Sequence, residues 1–430
     1  MKKDLRWMRL DNAAKIYPAA RSRYWTNVFR LSVSYYDPVD PDVLKRALER
    51  VIKRFPSVAA RLSTGIFWYY IEEIEKAPEI LREEDHPLNR MPFRDIKKCA
   101  FRVLYYKNRM SVEIFHGITD GNGGITFVKT LAAEYVRLKY GETVPCEDGI
   151  LDINDEPKSE ELEDSFGRYI SDVNPGWKEP NAYAIKGTKE DDGFIHVVTG
   201  IMDSDKIKEL AKSYGVTVTT FLSAVMMKSI YDHQKERVKN PKHLRPVRVL
   251  IPVNLRSFLP SKTMRNFAQY ITPDIDPRLG EYTFEEMVKA VHHKMGLDLN
   301  AKYLAAKFTP NVRSERVKIL RVMPLFIKNI AMKLVYSAVG ERKASICMSN
   351  LGVFKLPDSM VKHIERVDFV LGLQATSPVN CGVLSYNGKL IVNLVRGIKE
   401  SDLERNFFTT LRKMGVHILV ESNGNGEQPV

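Results

Sequence analysis

The stretch from Val112 to Val128, VEIFHGITDGNGGITFV, is the most informative part of this 430-residue chain. Its first four residues have the character of a strand, and the glycines after Asp120 lead into a helical pattern of apolar residues. His116 therefore lies where a strand gives way to a loop, which is a usual position for a side chain that faces a ligand.

An imidazole at this position is suited to proton transfer, because its ordinary pKa is close to neutral pH. Asp120 could fold back to fix the loop or be held by a cation, and Gly121 lets the backbone approach a ligand closely. A histidine near an aspartate is more often a structural pair than a catalytic one, but His-x-x-x-Asp-Gly between a strand and a helix is more specific. His116 and Asp120 are the predicted catalytic residues.

The residues around this motif recur later in the chain. Shifted by 280 positions without a gap, 103–131 matches 383–411 at nine of 29 residues, where ordinary residue usage would give about two. The identical pairs are Val103/Val383, Leu104/Leu384, Tyr106/Tyr386, Val112/Val392, Gly117/Gly397, Ile118/Ile398, Phe127/Phe407, Thr130/Thr410 and Leu131/Leu411. Both copies have the pattern hairpin, loop, helix, which predicts an internal duplication; two unrelated units of a common type are the alternative.

Only one of the two copies keeps the groups needed for proton transfer. Arg396 corresponds to His116, and Glu400 corresponds to Asp120. A guanidinium stays protonated at physiological pH, so Arg396 cannot act as a base and is expected to hold an anion or a carboxylate. One active site is therefore predicted, near the middle of a cleft shared by two similar sheets.

The length of the chain suits two domains of typical size. Segment 147–172 contains ten acidic residues against two basic ones and is rich in turn-forming residues, which predicts a solvated linker region. The predicted organisation is an N-terminal half at 1–175 with the His116 motif, a linker at 176–190 and a C-terminal half at 191–430.

Composition and the remaining motifs exclude several classes of protein. The hydrophobic fraction of 44% is typical of globular proteins, and the net charge of +13 is spread along the chain without a nucleic-acid-binding motif, so no nucleic-acid partner is predicted. The start of the chain does not have a signal-peptide pattern and the four cysteines are scattered, which predicts a cytoplasmic location. His292-His293 does not have metal-ligand spacing, and no metal site is predicted.

The segment 318–336 is apolar with interspersed lysine and arginine residues. Contact with lipid at a membrane surface is left open for it, but packing against the rest of its domain is the favoured interpretation.

Three motifs carry a resemblance to a known family. The run from His116 to Gly121 resembles the H-x-x-x-D-G motif of the chloramphenicol-acetyltransferase-like superfamily, the HxxxD acyltransferases. The segment IPVNLR at 251–256, followed by Asn266-Phe267, is similar to that family's second-domain strand with its arginine and downstream asparagine. The segment SNLG at 349–352 resembles one that many members carry near their tunnel.

The departures from the family pattern indicate one of its branches. Condensation domains usually carry a second histidine before the catalytic one, where this chain has Phe115. The D-F-G-W-G box of the plant enzymes is also missing from the sequence. Both departures favour the bacterial alcohol-acetyltransferase-like branch, with condensation domains and wax-ester synthases as relatives.

The resemblance implies an α/β fold of two halves, each a mixed β-sheet with flanking helices, that form a pseudo-dimer around a central tunnel. It also implies roles for named residues: His116 as general base, Asp120 as a structural residue in an ion pair with Arg256, and Ser349 or Asn350 as donor to the oxyanion. The substrate-binding residues it implies are Gly121, Ser349, Asn350 and Gly352.

The implied function is direct transfer of an acyl group from a thioester to a small alcohol or amine. Acyl-CoA is the expected co-substrate, with no permanently bound cofactor, and a monomer is expected. Two alternatives remain: a condensation-type enzyme that takes the acyl group from a carrier protein, and a non-catalytic acyl-binding protein.

Overall fold

The computed structural model describes residues 6–20, 27–83, 86–173, 180–190, 193–335, 343–374 and 377–424. The strands are β1 Trp7–Arg9, β2 Val28–Tyr35, β3 Ala60–Thr64, β4 Tyr69–Glu73, β5 Ile80–Arg82, β6 Phe101–Tyr106, β7 Arg109–Phe115, β8 His196–Asp203, β9 Val247–Asn254, β10 Ala268–Ile271, β11 Asp274–Ile275, β12 Ile346–Val353, β13 Ile364–Leu371, β14 Val379–Tyr386, β15 Lys389–Arg396 and β16 Ile418–Ser422. The helices are α1 Ile16–Ala20, α2 Pro41–Val51, α3 Phe93–Ile96, α4 Gly121–Tyr140, α5 Ser159–Leu162, α6 Ser204–Ser213, α7 Val218–Arg237, α8 Phe284–Asp298, α9 Ala301–Ser314, α10 Lys318–Val322, α11 Leu325–Val335, α12 Asp358–Val361 and α13 Asp402–Lys413.

Two mixed sheets with flanking helices dominate the fold. In the described residues the first sheet has five strands in the order β13-β2-β7-β6-β5, and the second has eight, seven of them in the order β10-β9-β12-β14-β15-β8-β16 with β11 beside β9. A smaller sheet has the order β1-β4-β3. Each large sheet has a hydrophobic core of its own, as the predicted fold class requires.

The two large sheets repeat the same arrangement of strands. In the first, β2, β7 and β6 are successively antiparallel and β5 runs parallel to β6; in the second, β8, β15 and β14 are antiparallel and β12 runs parallel to β14. Even the register agrees, since Val103 pairs with Val112 and the corresponding Val383 pairs with Val392. A helix follows each hairpin, so the topology agrees with an internal duplication.

Each of the two hairpins has a tight turn. Tyr106 pairs with Arg109 and Tyr386 with Lys389, which leaves two residues in each turn. Lys107 and Asn387 both have positive φ, at 52° and 43°. Positive φ at this position is required by the turn whose twist matches that of the flanking strands.

The sheets are joined by β13, which comes late in the chain but pairs with β2 in the first sheet. The backbone oxygen of Phe369 on this strand would lie 2.5 Å from a β-carbon at Gly382, so glycine allows β13 to approach β14 closely. Asn393 donates a hydrogen bond to the same oxygen at 3.1 Å. The predicted domain bounds stay a prediction, but the first sheet takes one strand from the region 191–430.

The expectation that 147–172 is solvated is wrong for its central part. Glu161 forms a two-bonded ion pair with Arg54, at 2.6 and 2.7 Å, and both side chains are buried. Phe166 is buried in the second core against Phe267 and Phe308. Composition misses this because a buried carboxylate with a bidentate arginine partner looks like any other acidic residue in a sequence.

The predicted linker at 176–190 lies partly outside the described residues. Its described part, 180–190, runs along the C-terminal region: Tyr183 donates its backbone hydrogen bond to Pro246, and Lys189 bridges to Ile398. Among the described residues, no helix has both the length and the apolar character needed to cross a membrane.

Candidate active site

His116 directly follows β7, the central strand of the first sheet, and its ring is enclosed by aromatic side chains. Its backbone nitrogen donates a hydrogen bond to the oxygen of Asn27 at 2.8 Å, which fixes where the chain leaves the sheet. Tyr17 stacks on the imidazole with a centroid distance of 4.8 Å, and Phe29 meets it edge-on at 5.3 Å. Burial lowers the pKa of His116 because it penalises the charged imidazolium, with smaller opposing effects from hydrogen bonds and from Asp120. The ring is therefore kept neutral.

The side chain of Asn266 determines which ring nitrogen of His116 carries the proton. Its Oδ1 lies 3.0 Å from Nδ1 of His116. The orientation of this amide is set from its other end, where Asn266 Nδ2 donates to Oδ2 of Asp11 at 3.2 Å. With Oδ1 facing the imidazole, Nδ1 must be the donor, so Nε2 carries the lone pair.

Asp11 is almost completely buried, and its two oxygens are used as acceptors. Oδ1 accepts from the backbone of Ala14 at 2.8 Å, and Oδ2 accepts both the side chain and the backbone nitrogen of Asn266. Burial raises the pKa of Asp11, while the nearby guanidinium of Arg265, at 3.8 Å, opposes that shift. Asp11, Asn266 and His116 thus form a continuous hydrogen-bonded chain.

The carboxylate of Asp120 accepts four hydrogen bonds from described residues and connects the start of α4 with segment 256–267. Its Oδ1 caps α4 by accepting from the backbone nitrogens of Asn122 and Gly123, both at 3.1 Å. Its Oδ2 accepts from Nη1 of Arg256 and from the backbone nitrogen of Phe267, both at 2.8 Å. The ion pair with Arg256 is therefore present, and it joins a buried carboxylate to a guanidinium that is largely enclosed.

Arg256 also holds the loop that carries Asn266. Its Nε and Nη2 donate to the backbone oxygen of Thr263 at 3.0 and 2.8 Å, and Nη2 donates to that of Arg265 at 2.6 Å. The ion pair with Asp120 thus fixes the residue that orients His116, through the loop between them.

Gly121 and Gly123 of the motif allow Leu351 and Met264 to approach the start of α4. A β-carbon at Gly123 would lie 2.2 Å from the backbone oxygen of Met264, and one at Gly121 would lie 2.7 Å from the side chain of Leu351. Distances below 3 Å are not tolerated against backbone. Close packing of segment 264–267 on α4 therefore requires glycine at position 123.

Strand β12 contributes the other predicted residues. Asn350 already uses both ends of its amide, because Nδ2 donates to Thr219 at 3.0 Å and Oδ1 accepts from the backbone of Gly352 at 2.8 Å. Gly352 has a φ of 75°, so this turn favours glycine. Ser349 is buried, and its hydroxyl does not have a hydrogen-bond partner among the described residues.

The corresponding position in the second copy is occupied by a structural ion pair. Arg396 is buried and its Nε lies 2.5 Å from Oε1 of Glu404, while Nη1 donates to the backbone oxygen of Lys399 at 3.0 Å. Arg396 thus holds a carboxylate, as its sequence position predicts. Glu404 occupies the position that corresponds to Gly124.

Comparison with known proteins agrees with this fold. Residues 177–370 match the family model for alcohol acetyltransferase. The trichothecene 15-O-acetyltransferase TRI3 of Fusarium sporotrichioides has a similar structure, with a TM-score of 0.62 at 11% identity over 95% of each chain. These matches agree with the resemblance to the chloramphenicol-acetyltransferase-like superfamily. No curated protein matches this chain significantly.

Two further structures represent different members of the superfamily fold. TRI101 of F. sporotrichioides, in complex with coenzyme A and T-2, gives a TM-score of 0.62 at 13% identity over 97% of this chain and 100% of that one. The nonribosomal peptide synthetase FmoA3 gives 0.59 at 13% identity over 96% of this chain and 42% of that one. The family match supports an acyltransferase function, and the solved structures show the shared fold.

Two residues of this site are not predicted from the sequence. Asp11 and Tyr17 lie in a short N-terminal segment that contains none of the superfamily's motifs, and nothing in a single sequence connects them to His116. Asn266 stands out in the sequence only as part of the second motif, not as the partner of the histidine.

Proposed function

We propose that this protein transfers an acyl group from acyl-CoA to the hydroxyl of a small alcohol, with His116 as the general base. The hydrogen bond between Asn266 and Nδ1 is the observation that carries this proposal. It leaves the lone pair of Nε2 available to an acceptor, because Nδ1 is already committed as a donor.

The proposed reaction passes through a tetrahedral intermediate. Nε2 of His116 takes the proton of the acceptor hydroxyl while its oxygen attacks the thioester carbonyl. The tetrahedral oxyanion then collapses, the carbon–sulfur bond breaks, and the imidazolium gives its proton to the leaving thiolate. The products are an ester and free CoA, and His116 returns to its neutral form.

The lowered pKa of His116 supports this role. A neutral imidazole is the form that accepts a proton, and burial between Tyr17 and Phe29 favours it. Ser349 is the proposed donor to the oxyanion, because the amide of Asn350 is already occupied by Thr219 and Gly352. Asp120 contributes by holding the loop geometry and takes no part in proton transfer.

The choice of donor and acceptor rests on the comparisons. The similar TRI101 structure is a complex with coenzyme A, and the matching family model is that of alcohol acetyltransferase. The condensation-type alternative has a similar structure in FmoA3. Phe115 replaces the second histidine that condensation domains usually carry, which favours acyl-CoA over a carrier protein. We also propose that a central tunnel brings both substrates to His116.

The test is release of free thiol from acyl-CoAs of increasing chain length, with a panel of alcohols and amines as acceptors. His116→Ala should lower turnover by about two to four orders of magnitude, the usual contribution of a general base, without loss of the folded state. His293→Ala is the matched control, because His293 is an exposed histidine on α8. Near-normal turnover in His116→Ala would contradict the proposal.

A further inference from the structure

An exposed surface that combines apolar side chains with unpaired cations lies beside the N-terminal helix α1. We infer that this surface binds anionic lipid membranes. Its apolar part consists of Ile66 at the tip of the β3–β4 hairpin together with Val322, Phe326, Ile327 and Ile330 from α10 and α11. Ile66 is 75% exposed, Val322 68% and Phe326 67%, which is unusual for residues of this size. We call these five residues the apolar patch.

The hairpin and the helix form one surface because they are bonded to each other. The backbone nitrogen of Leu325 donates to the oxygen of Ile66 at 2.9 Å, and Nζ of Lys328 donates to the oxygen of Phe67 at 2.9 Å. Lys328 also lies 3.6 Å from the centre of the Trp68 ring. Segment 318–336 is expected from its sequence to pack against the rest of its domain. The side of α11 that carries Lys328 does so, whereas Phe326 and Ile330 are exposed.

The charged residues of segment 316–335, which carries α10 and α11, have one sign. Arg316, Lys318, Arg321 and Lys333 are exposed, and within the described chain none of them is paired with a carboxylate. The one acidic residue between 313 and 335, Glu315, is already bound to Lys15. Apolar residues on one side of a helix with unpaired cations beside them are the pattern of a helix that lies in the interface of an anionic membrane.

The apolar patch lies partly on a helix that is connected to His116 through α1. Helix α11 packs against α1, and Tyr17 of α1 stacks on the imidazole of His116. Membrane binding would therefore place the active site close to a lipid surface, where acyl thioesters and apolar alcohols accumulate. Membrane binding by the apolar patch does not require the proposed reaction.

The experiment is co-sedimentation of the full-length protein with vesicles. Phosphatidylcholine alone is compared with phosphatidylcholine mixed with phosphatidylglycerol. The expected result is binding to the anionic vesicles that weakens as salt is added, because salt screens the attraction. The double variants Phe326→Ser/Ile330→Ser and Lys318→Ser/Arg321→Ser should each bind about tenfold more weakly or worse.

The controls replace equally exposed residues outside the patch. Leu279→Ser removes an exposed apolar side chain, and Lys242→Ser/Lys389→Ser removes two exposed cations. These variants should bind like the original protein, and thermal unfolding checks that all variants are folded. Equal binding to both vesicle types, patch variants that bind like the controls, or no binding to anionic vesicles would each overturn the inference. Self-association abolished by the patch variants without vesicle binding would assign the surface to a second copy of the chain and also overturn it.

Discussion

Oδ1 of Asn266 lies 3.0 Å from Nδ1 of His116, although the two residues are 150 positions apart in the sequence. The orientation of His116, the proposed base, is thus set by a residue that is distant in the chain. The ion pair of Asp120 with Arg256 holds the loop that carries Asn266. Residues next to His116 and residues 256–267 therefore form one site. Without the loop that carries Asn266, the tautomer of His116 would not be fixed.

Replacing Asn266 by leucine should lower kcat by about ten- to a hundredfold, the size of effect found when a partner that orients a metal-bound histidine is removed. The physical reason is that the ring can then rotate and exchange its tautomers, while substrate binding is untouched. Steady-state kinetics should therefore show a change in kcat with little change in KM. The exposed Asn311→Leu is the control. A loss of thermal stability with unchanged kcat would mean that Asn266 has only a structural role.

The pH dependence of kcat/KM should reflect the lowered pKa of His116. A base must be deprotonated to work, so activity is expected to fall as the pH drops through that pKa. Because burial lowers it, the acid limb should lie below about 6.5, the ordinary histidine value. An acid limb above this value would contradict a buried, neutral base. The profile should be measured with a slow acyl donor, so that chemistry limits the rate.

Removing the hydroxyl of Ser349 tests the proposed oxyanion donor. Ser349→Ala should lower kcat by about a hundredfold or more, as the loss of one such donor usually does, with little effect on stability. Asn350→Ala should behave differently, because its amide holds Thr219 and the turn at Gly352. That variant is expected to lose stability as well. Unchanged kcat in Ser349→Ala would remove this residue from the mechanism.

The local parts of the fold could be predicted from the sequence, and the distant contacts could not. The β7–His116–α4 unit and the two hairpins follow from alternation, turn residues and glycines, all of which act over a few positions. The pairing of β13 with β2, the contact between Asp11 and Asn266 and the burial of Glu161 against Arg54 each join residues far apart in the chain. Such contacts depend on the packing of whole elements, which a single sequence does not encode in any local pattern. The ion pair of Asp120 with Arg256 could be predicted only because both residues lie in motifs that resemble those of a known family.

Breaking the ion pair between Asp120 and Arg256 should be costly. Asp120→Asn leaves the largely enclosed guanidinium of Arg256 without its carboxylate, and the expected loss is about 3–5 kcal/mol in the free energy of unfolding. Urea denaturation measures it. Glu209→Gln, which breaks the exposed pair of Glu209 with Lys206, should change little. The double variant Asp120→Asn/Arg256→Met should lose less than the two single losses added together, and simple additivity would show that the pair is not coupled.

The second copy of the duplicated unit should not support catalysis by a histidine at position 396. Introducing Arg396→His into the inactive His116→Ala variant should not restore thiol release above that of His116→Ala alone. The copy does not have the surroundings that a base needs: Glu404 occupies the position of Gly124, and its carboxylate would bind the new imidazole directly. A histidine there would be held near a buried carboxylate and stabilised in its charged form, which cannot accept a proton. Arg396→His should instead lower stability, because the bonds of Arg396 to Glu404 and Lys399 are lost. Restored turnover would show that the two copies are still chemically interchangeable, and a single active site would then be the wrong interpretation of the duplication.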